Sequence, residues 1–290
     1  MEEDTVKEFG AVEMVDTEWL DDNLDREDLL MIDCQPNVHD YISEHIPGAV
    51  YFNQSLLRVP EAGRPAVYVP EESMEPLLRR IGVTNERRVL VYTGTGPFKG
   101  WGDGLEQTFV AYTLVRFGVD RVMVLDGGID KWKSENRPLT KEYADVRTSR
   151  YTIRVRGELF IDYREFQEIK DEEGVVLLDA RPPDVYAGQG PWIKPGHIPG
   201  AVNLFWKTLM DEDNPRLLKP LEEIRERLEK MGITPDKRII CSCGTGREAT
   251  NEFLLLKYYL GYPSVKIYEG SFTEWVSHPE NETVTGPDPR

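Results

Sequence analysis

Apolar positions in this chain cluster into short unbroken runs rather than alternating with polar ones. In the second half the runs are Val175-Val176-Leu177-Leu178-Asp179, Ile239-Ile240-Cys241 and Val265 to Tyr268. The first half carries Leu29-Leu30-Met31-Ile32-Asp33 and Arg88-Val89-Leu90-Val91. Between them lie stretches with helical spacing: Thr17 to Leu20, Tyr163 to Phe166, Leu221 to Met231, and Ala249 to Leu260. Buried strands alternating with amphipathic helices predict an α/β fold, with a parallel sheet covered on both faces. Ligands of such sheets bind beyond the carboxyl ends of the strands.

The pattern occurs twice. Glu44-His45-Ile46-Pro47-Gly48-Ala49-Val50 returns as Gly196-His197-Ile198-Pro199-Gly200-Ala201-Val202. Gly82-Val83-Thr84 with the strand from Arg88 returns as Gly232-Ile233-Thr234 with the strand from Arg238. Val124-Leu125-Asp126-Gly127-Gly128 through Trp132 returns as Ile267-Tyr268-Glu269-Gly270-Ser271 through Trp275. Three blocks repeated in one order predict two copies of one domain. The expected domains are 1–140 and 151–290, joined through the polar, aperiodic segment from Asn136 to Arg150.

A formal net charge of −17 argues against nucleic acid and against an anionic membrane surface as partners. Any anionic substrate must be drawn by local arginines. No apolar run approaches the ~18 residues that span a bilayer, and the acidic start MEEDTVKEFG lacks the features of a signal peptide. A cytoplasmic location is the default expectation. Three cysteines, Cys34, Cys241 and Cys243, are too few for a disulfide framework and fit a reducing compartment.

Candidate chemistry concentrates at Cys243-Gly244-Thr245-Gly246-Arg247-Glu248, between the strand ending at Cys241 and the helix from Ala249. A cysteine there meets unpaired backbone N–H groups and the positive end of a helix dipole. This setting is expected to lower the thiol pKa from about 8.5 towards neutrality, which makes Cys243 the candidate nucleophile. The N–H groups of Gly244 to Glu248 can converge on an anionic sulfur, with two glycines letting the backbone close tightly. Cys241, inside the apolar run, reads as inert.

These motifs resemble the tandem-domain rhodanese family, the thiosulfate and 3-mercaptopyruvate sulfurtransferases. The His-Ile-Pro-Gly-Ala turn in both copies, the CGTGRE loop at Cys243, Leu178-Asp179-Ala180-Arg181, and the block Tyr268 to Trp275 carry the resemblance over nearly the whole chain. It implies two rhodanese-like domains, each a mainly parallel five-stranded sheet flanked by helices on both faces. It also implies sulfur transfer from thiosulfate or 3-mercaptopyruvate to cyanide or a thiol, through a Cys243 persulfide and without cofactor or metal. Arg181, Gly244, Thr245, Gly246, Arg247 and Glu248 then become substrate-binding candidates, and His45 a candidate proton relay. The first copy is expected to be catalytically silent. Thr93 stands where the second copy has Cys243, Gln35 where it has Arg181, and Pro97 removes a backbone donor.

Other readings of the same residues are weaker. Cys-Ser-Cys lacks the further ligands of a tetrahedral metal site. Phosphatases with a Cys-x5-Arg loop need the arginine six positions after the cysteine; Ala249 is there, and Arg247 comes at four. A low-turnover sulfur carrier or regulatory binding module is the alternative of a different class. Arg181 has a structural alternative, an ion pair with Asp179 or Asp184. The aromatic insertion Phe98 to Gly102 has no assigned role.

Overall fold

A computed structural model describes residues 11–96 and 103–290; Pro97 and the insertion Phe98 to Gly102 lie outside them. The chain divides into two compact units, residues 1–57 with 69–156, and residues 58–68 with 157–290.

The first unit opens with strand β1 (Ala11–Val15), then helix α1 (Thr17–Asp22), whose cap Asp16 accepts the Trp19 N–H. Strand β2 (Leu29–Asp33) is buried at all five residues. Helix α2 (Val38–Ser43) and strand β3 (Val50–Tyr51) follow. The chain next forms an antiparallel hairpin, β4 (Arg58–Glu61) and β5 (Arg64–Tyr68), which belongs to the second unit. Helix α3 (Glu71–Arg80), strand β6 (Arg88–Tyr92), helix α4 (Leu105–Arg116), strand β7 (Arg121–Leu125) and helix α5 (Gly128–Ser134) complete the first unit. Its parallel sheet has the order β1-β7-β6-β2-β3. Helix α4 is buried from Leu105 to Val115, as an apolar helix against a sheet must be.

The second unit repeats that order. Its elements are β8 (Phe160–Ile161), α6 (Tyr163–Ile169), β9 (Val175–Asp179), β10 (Val202–Asn203), α7 (Leu221–Lys230), β11 (Arg238–Ser242), α8 (Ala249–Leu254), β12 (Val265–Tyr268) and α9 (Ser271–Ser277). The parallel sheet runs β10-β9-β11-β12-β8, and helices flank each sheet. After α8 the helix continues as a wider π turn over Leu255–Tyr259, so the apolar stretch read as one helix changes pitch midway. The short edge strands β1, β3, β8 and β10 were not legible as runs, because two-residue or charge-interrupted strands carry no periodicity.

The repeated histidine turns pin the second half of each unit. His45 exchanges backbone hydrogen bonds with Thr140, and His197 does so with Val284. Gly48 and Gly200 take φ of +82° and +89° in those turns.

Candidate active site

Strand β11 ends at Ser242 in the middle of its sheet, so the following loop emerges at the carboxyl edge with neighbours on both sides. The segment after β12 holds it there. Ser271 Oγ accepts the Cys243 N–H at 3.1 Å and donates to the Tyr268 carbonyl at 2.9 Å, with Ser271 itself at φ +51°. Phe272 N–H donates to the Cys243 carbonyl, and Thr273 donates through both N–H and Oγ1 to the Gly244 carbonyl. The N-terminal amides of α9, which lack helical partners, thus satisfy loop carbonyls instead.

Cys243 is completely buried. Its Sγ accepts the Gly246 N–H at 3.0 Å, and the backbone amides of Ala249 and Thr245 also act to favour the thiolate. These amides face the sulfur. The expected low thiol pKa is nevertheless not what the site produces. Burial pushes the thiol well up; the Glu248 carboxylate adds to this by its charge and by accepting the thiol hydrogen. The loop's donors were legible from residue order, but not that Glu248 would turn inward.

Arg181 is buried and forked onto Asp179, with Nε 2.9 Å from Oδ1 and Nη2 2.6 Å from Oδ2. Nη2 also donates to the Gly196 carbonyl at 3.0 Å. The ion pair offered as its structural alternative is therefore formed. Among the described residues Nη1 has no hydrogen-bond partner, so its two N–H donors stay unspent. Phe272 and Trp192 cover its faces, with ring centroids 4.2 Å and 5.0 Å from Cζ. Trp192 also lies on Gly244, where a Cβ would fall 2.6 Å from the indole. Arg247 is half-buried, its carbonyl accepting from Thr250 N and Oγ1.

His45 does not have the geometry of a relay. Its Nδ1 lies 2.7 Å from the Tyr41 carbonyl, its Nε2 3.1 Å from that of Glu142, and its ring stacks on Tyr41 at 3.8 Å. Both nitrogens face backbone carbonyls. His197 stacks on Tyr186 in the same way.

The first unit reproduces the frame without the sulfur. Ile129 N–H donates to the Thr93 carbonyl as Phe272 does to that of Cys243. Gln35 bonds Asp33 through N–H and Nε2, each at 2.9 Å, where Arg181 bonds Asp179.

Several residues here gave no sequence signal. Trp192 sits in an irregular Gly/Pro-rich segment, and Glu252 faces inward only because α8 turns it there. Glu252 is fully buried with neither carboxylate oxygen hydrogen-bonded, and burial, then Asp179 and Glu248, hold it protonated far above the usual range. Ser271 and Thr273 lie in a repeated block whose contacts only the fold discloses. Among the described residues no cluster of His, Cys, Asp and Glu could hold a metal ion, and no helix is long and apolar enough to cross a membrane.

Comparison with known proteins agrees with the duplicated architecture. A rhodanese-like domain is matched twice, at residues 16–135 and 162–278. A Synechococcus elongatus protein provisionally named a thiosulfate sulfurtransferase is 37% identical over 98% of this chain and 88% of its own length. The sulfur carrier protein TtuD of Thermus thermophilus is 32% identical over 90% of this chain and 93% of its own. Among solved structures, EanB with a cysteine persulfide, in a tetrahedral intermediate state with ergothioneine, superposes with a TM-score of 0.82. It is 26% identical, over 94% of this chain and 70% of that one. Two matched domains, two sheets of identical strand order and relatives of this similarity mean that the chain belongs to the tandem-domain rhodanese family, whose named members include sulfurtransferases.

Proposed function

We propose that the chain moves sulfane sulfur through a persulfide on Cys243. The thiolate attacks the outer sulfur of thiosulfate; the S–S bond breaks, sulfite leaves with the bonding pair, and Cys–S–S⁻ remains. With 3-mercaptopyruvate as donor the thiolate attacks its sulfur, and the C–S bond breaks with the pair leaving as the enolate of pyruvate. The enolate takes up the donor's thiol proton, so the same persulfide remains and pyruvate leaves. Cyanide or an acceptor thiol then takes the outer sulfur and the thiolate returns. Glu248, already accepting the thiol hydrogen, is the group that takes its proton. Gly244, Thr245 and Gly246 supply backbone around the sulfur. Arg247 and the unspent Nη1 of Arg181 draw the anionic donor against the net negative charge. The unit containing Thr93 has no sulfur nucleophile at the equivalent place and is silent in this scheme.

The observation carrying this reading is the turn of loop amides onto Cys243 Sγ, the Gly246 N–H at 3.0 Å foremost. Amide donors fixed around a buried point stabilise an anion formed there. Intact mass after thiosulfate, and separately after 3-mercaptopyruvate, tests it. A gain of about one sulfur atom (~32 Da), lost in Cys243→Ser and discharged by cyanide, is the expected result for covalent transfer. No gain with either donor overturns it.

A sulfur-carrier role is the second reading. It is favoured by the complete burial and raised pKa of Cys243, and by the similarity to a protein named as a sulfur carrier. Persulfide that loads but turns over no faster than in Cys243→Ser, with cyanide and small thiols, selects that reading.

A further inference from the structure

Thr245 and Gly246 share one peptide group, and its two ends meet opposite partners. The N–H end donates to Cys243 Sγ at 3.0 Å. The C=O end accepts from Arg58 Nη1 at 2.6 Å. Arg58 is far from this loop in sequence, yet the hairpin that carries it belongs to the same compact unit.

The orientation of this peptide decides what the sulfur sees. Gly246 has φ +80°, and a peptide next to glycine can rotate as a unit because glycine tolerates both signs of φ. Rotated over, it would aim its carbonyl oxygen at Sγ and repel a thiolate or persulfide. The preceding carbonyls of Cys243 and Gly244 are held by Phe272 and Thr273. Arg58 holds the next one, through a hydrogen bond from a cation, about twice as strong as a neutral one. Its charge also polarises the peptide, strengthening the N–H at the other end.

The hairpin is built to hold this guanidinium still. Arg58 pairs with Tyr68 across β4 and β5, and its Cζ lies 5.4 Å from the Tyr68 ring centroid. At the far end Arg64 bonds Glu274 of α9 at 2.5 Å, with the Glu274 side chain 13% exposed. The hairpin is thereby fixed to α9, the same helix whose first residues hold the loop carbonyls.

We infer that Arg58 is a positioning residue for Cys243: it locks the Thr245–Gly246 peptide with its N–H on the sulfur, and so favours anionic sulfur there. The groups facing Cys243 that share in its ionisation are Glu248 from the loop and Cys241 from β11. The inference deepens the persulfide reading and rests on it for its consequence in sulfur transfer.

The test compares full-length Arg58→Met and Arg58→Lys with wild type. Thiolate absorbance is followed across pH, each protein against its Cys243→Ser counterpart, together with the rate of sulfur loading from thiosulfate and the melting temperature. Arg58→Met is expected to move Cys243 ionisation to higher pH and slow loading about tenfold, the loss of one charge-assisted hydrogen bond, with kcat falling more than KM. Arg58→Lys, which keeps the charge, is expected to recover part of both. Should Arg58→Met not fold, Arg58→Lys against Arg58→Gln carries the same comparison. Wild-type ionisation and loading in the neutral variants, or a fall in melting temperature with neither altered, overturns the inference. The absorbance titration reads Arg58 even if no donor loads sulfur, so failure of the persulfide reading is seen separately, as no mass gain in wild type.

Discussion

A Cβ on Gly246 would fall 2.6 Å from the Glu269 carbonyl oxygen, at a residue whose φ is +80°. The residue after strand β12 and the loop after β11 approach each other so closely that only glycine fits. Gly246→Ala is expected to cost about 1–2 kcal/mol from the left-handed backbone alone, and to reduce sulfur loading about a hundredfold by displacing an amide donor. Gly232→Ala is the control, with φ +73° and open space around it. It should lose stability and keep sulfur loading. Similar loading in the two variants would remove Gly246 from the sulfur's cradle.

Glu248 raises the Cys243 thiol by charge and by hydrogen bond, after the larger effect of burial. Glu248→Gln is expected to let the thiol ionise at lower pH, though still above an exposed cysteine because burial persists. The acid limb of sulfur loading should move the same way. Thiolate absorbance against pH measures the shift; an unmoved or upward titration would show that Glu248 does not face the sulfur.

Arg181 and Asp179 form an ion pair with side chains 1% and 3% exposed. Removing one partner strands the other, so Arg181→Met is expected to cost about 3–5 kcal/mol in denaturant unfolding. Arg181→Met with Asp179→Asn should recover much of that. A single-variant loss under about 1 kcal/mol, the value of an exposed pair, would contradict the burial.

Asp33 in the first unit is pushed up to about 6 by burial, against an ordinary 3.8. A raised folded pKa means that the folded state binds the proton more tightly. Its stabilising contribution is therefore full below pH 3.8 and is lost as pH rises through about 6. Over that window the loss amounts to roughly 3 kcal/mol, at ~1.4 kcal/mol per pKa unit. Asp33→Asn should flatten the stability profile there, measured by urea midpoints from pH 3.5 to 7 (about the span of the titration). A variant profile parallel to wild type would refute the assignment.

Both sheets were readable because central parallel strands are buried on both faces and must be continuously apolar, as at Leu29–Asp33 and Val175–Asp179. The duplication came from equal constraint at equivalent turns, such as the glycine after each His-Ile-Pro. The hairpin of Arg58 and Arg64 escaped because none of its strand residues is fully buried, so they show no apolar pattern.

Sequence by itself determined the repeat, the α/β class, the placing of Cys243 beyond a central strand, and the loss of its equivalent at Thr93. Those follow from local pattern and residue identity. Tertiary structure alone decided that Arg181 pairs with Asp179, that Glu248 turns onto the thiol, that His45 is spent on carbonyls, and that Arg58 meets the Thr245 carbonyl. Charge and hydrogen-bond partners depend on distances of a few ångströms between segments far apart in the chain, and on the water excluded between them.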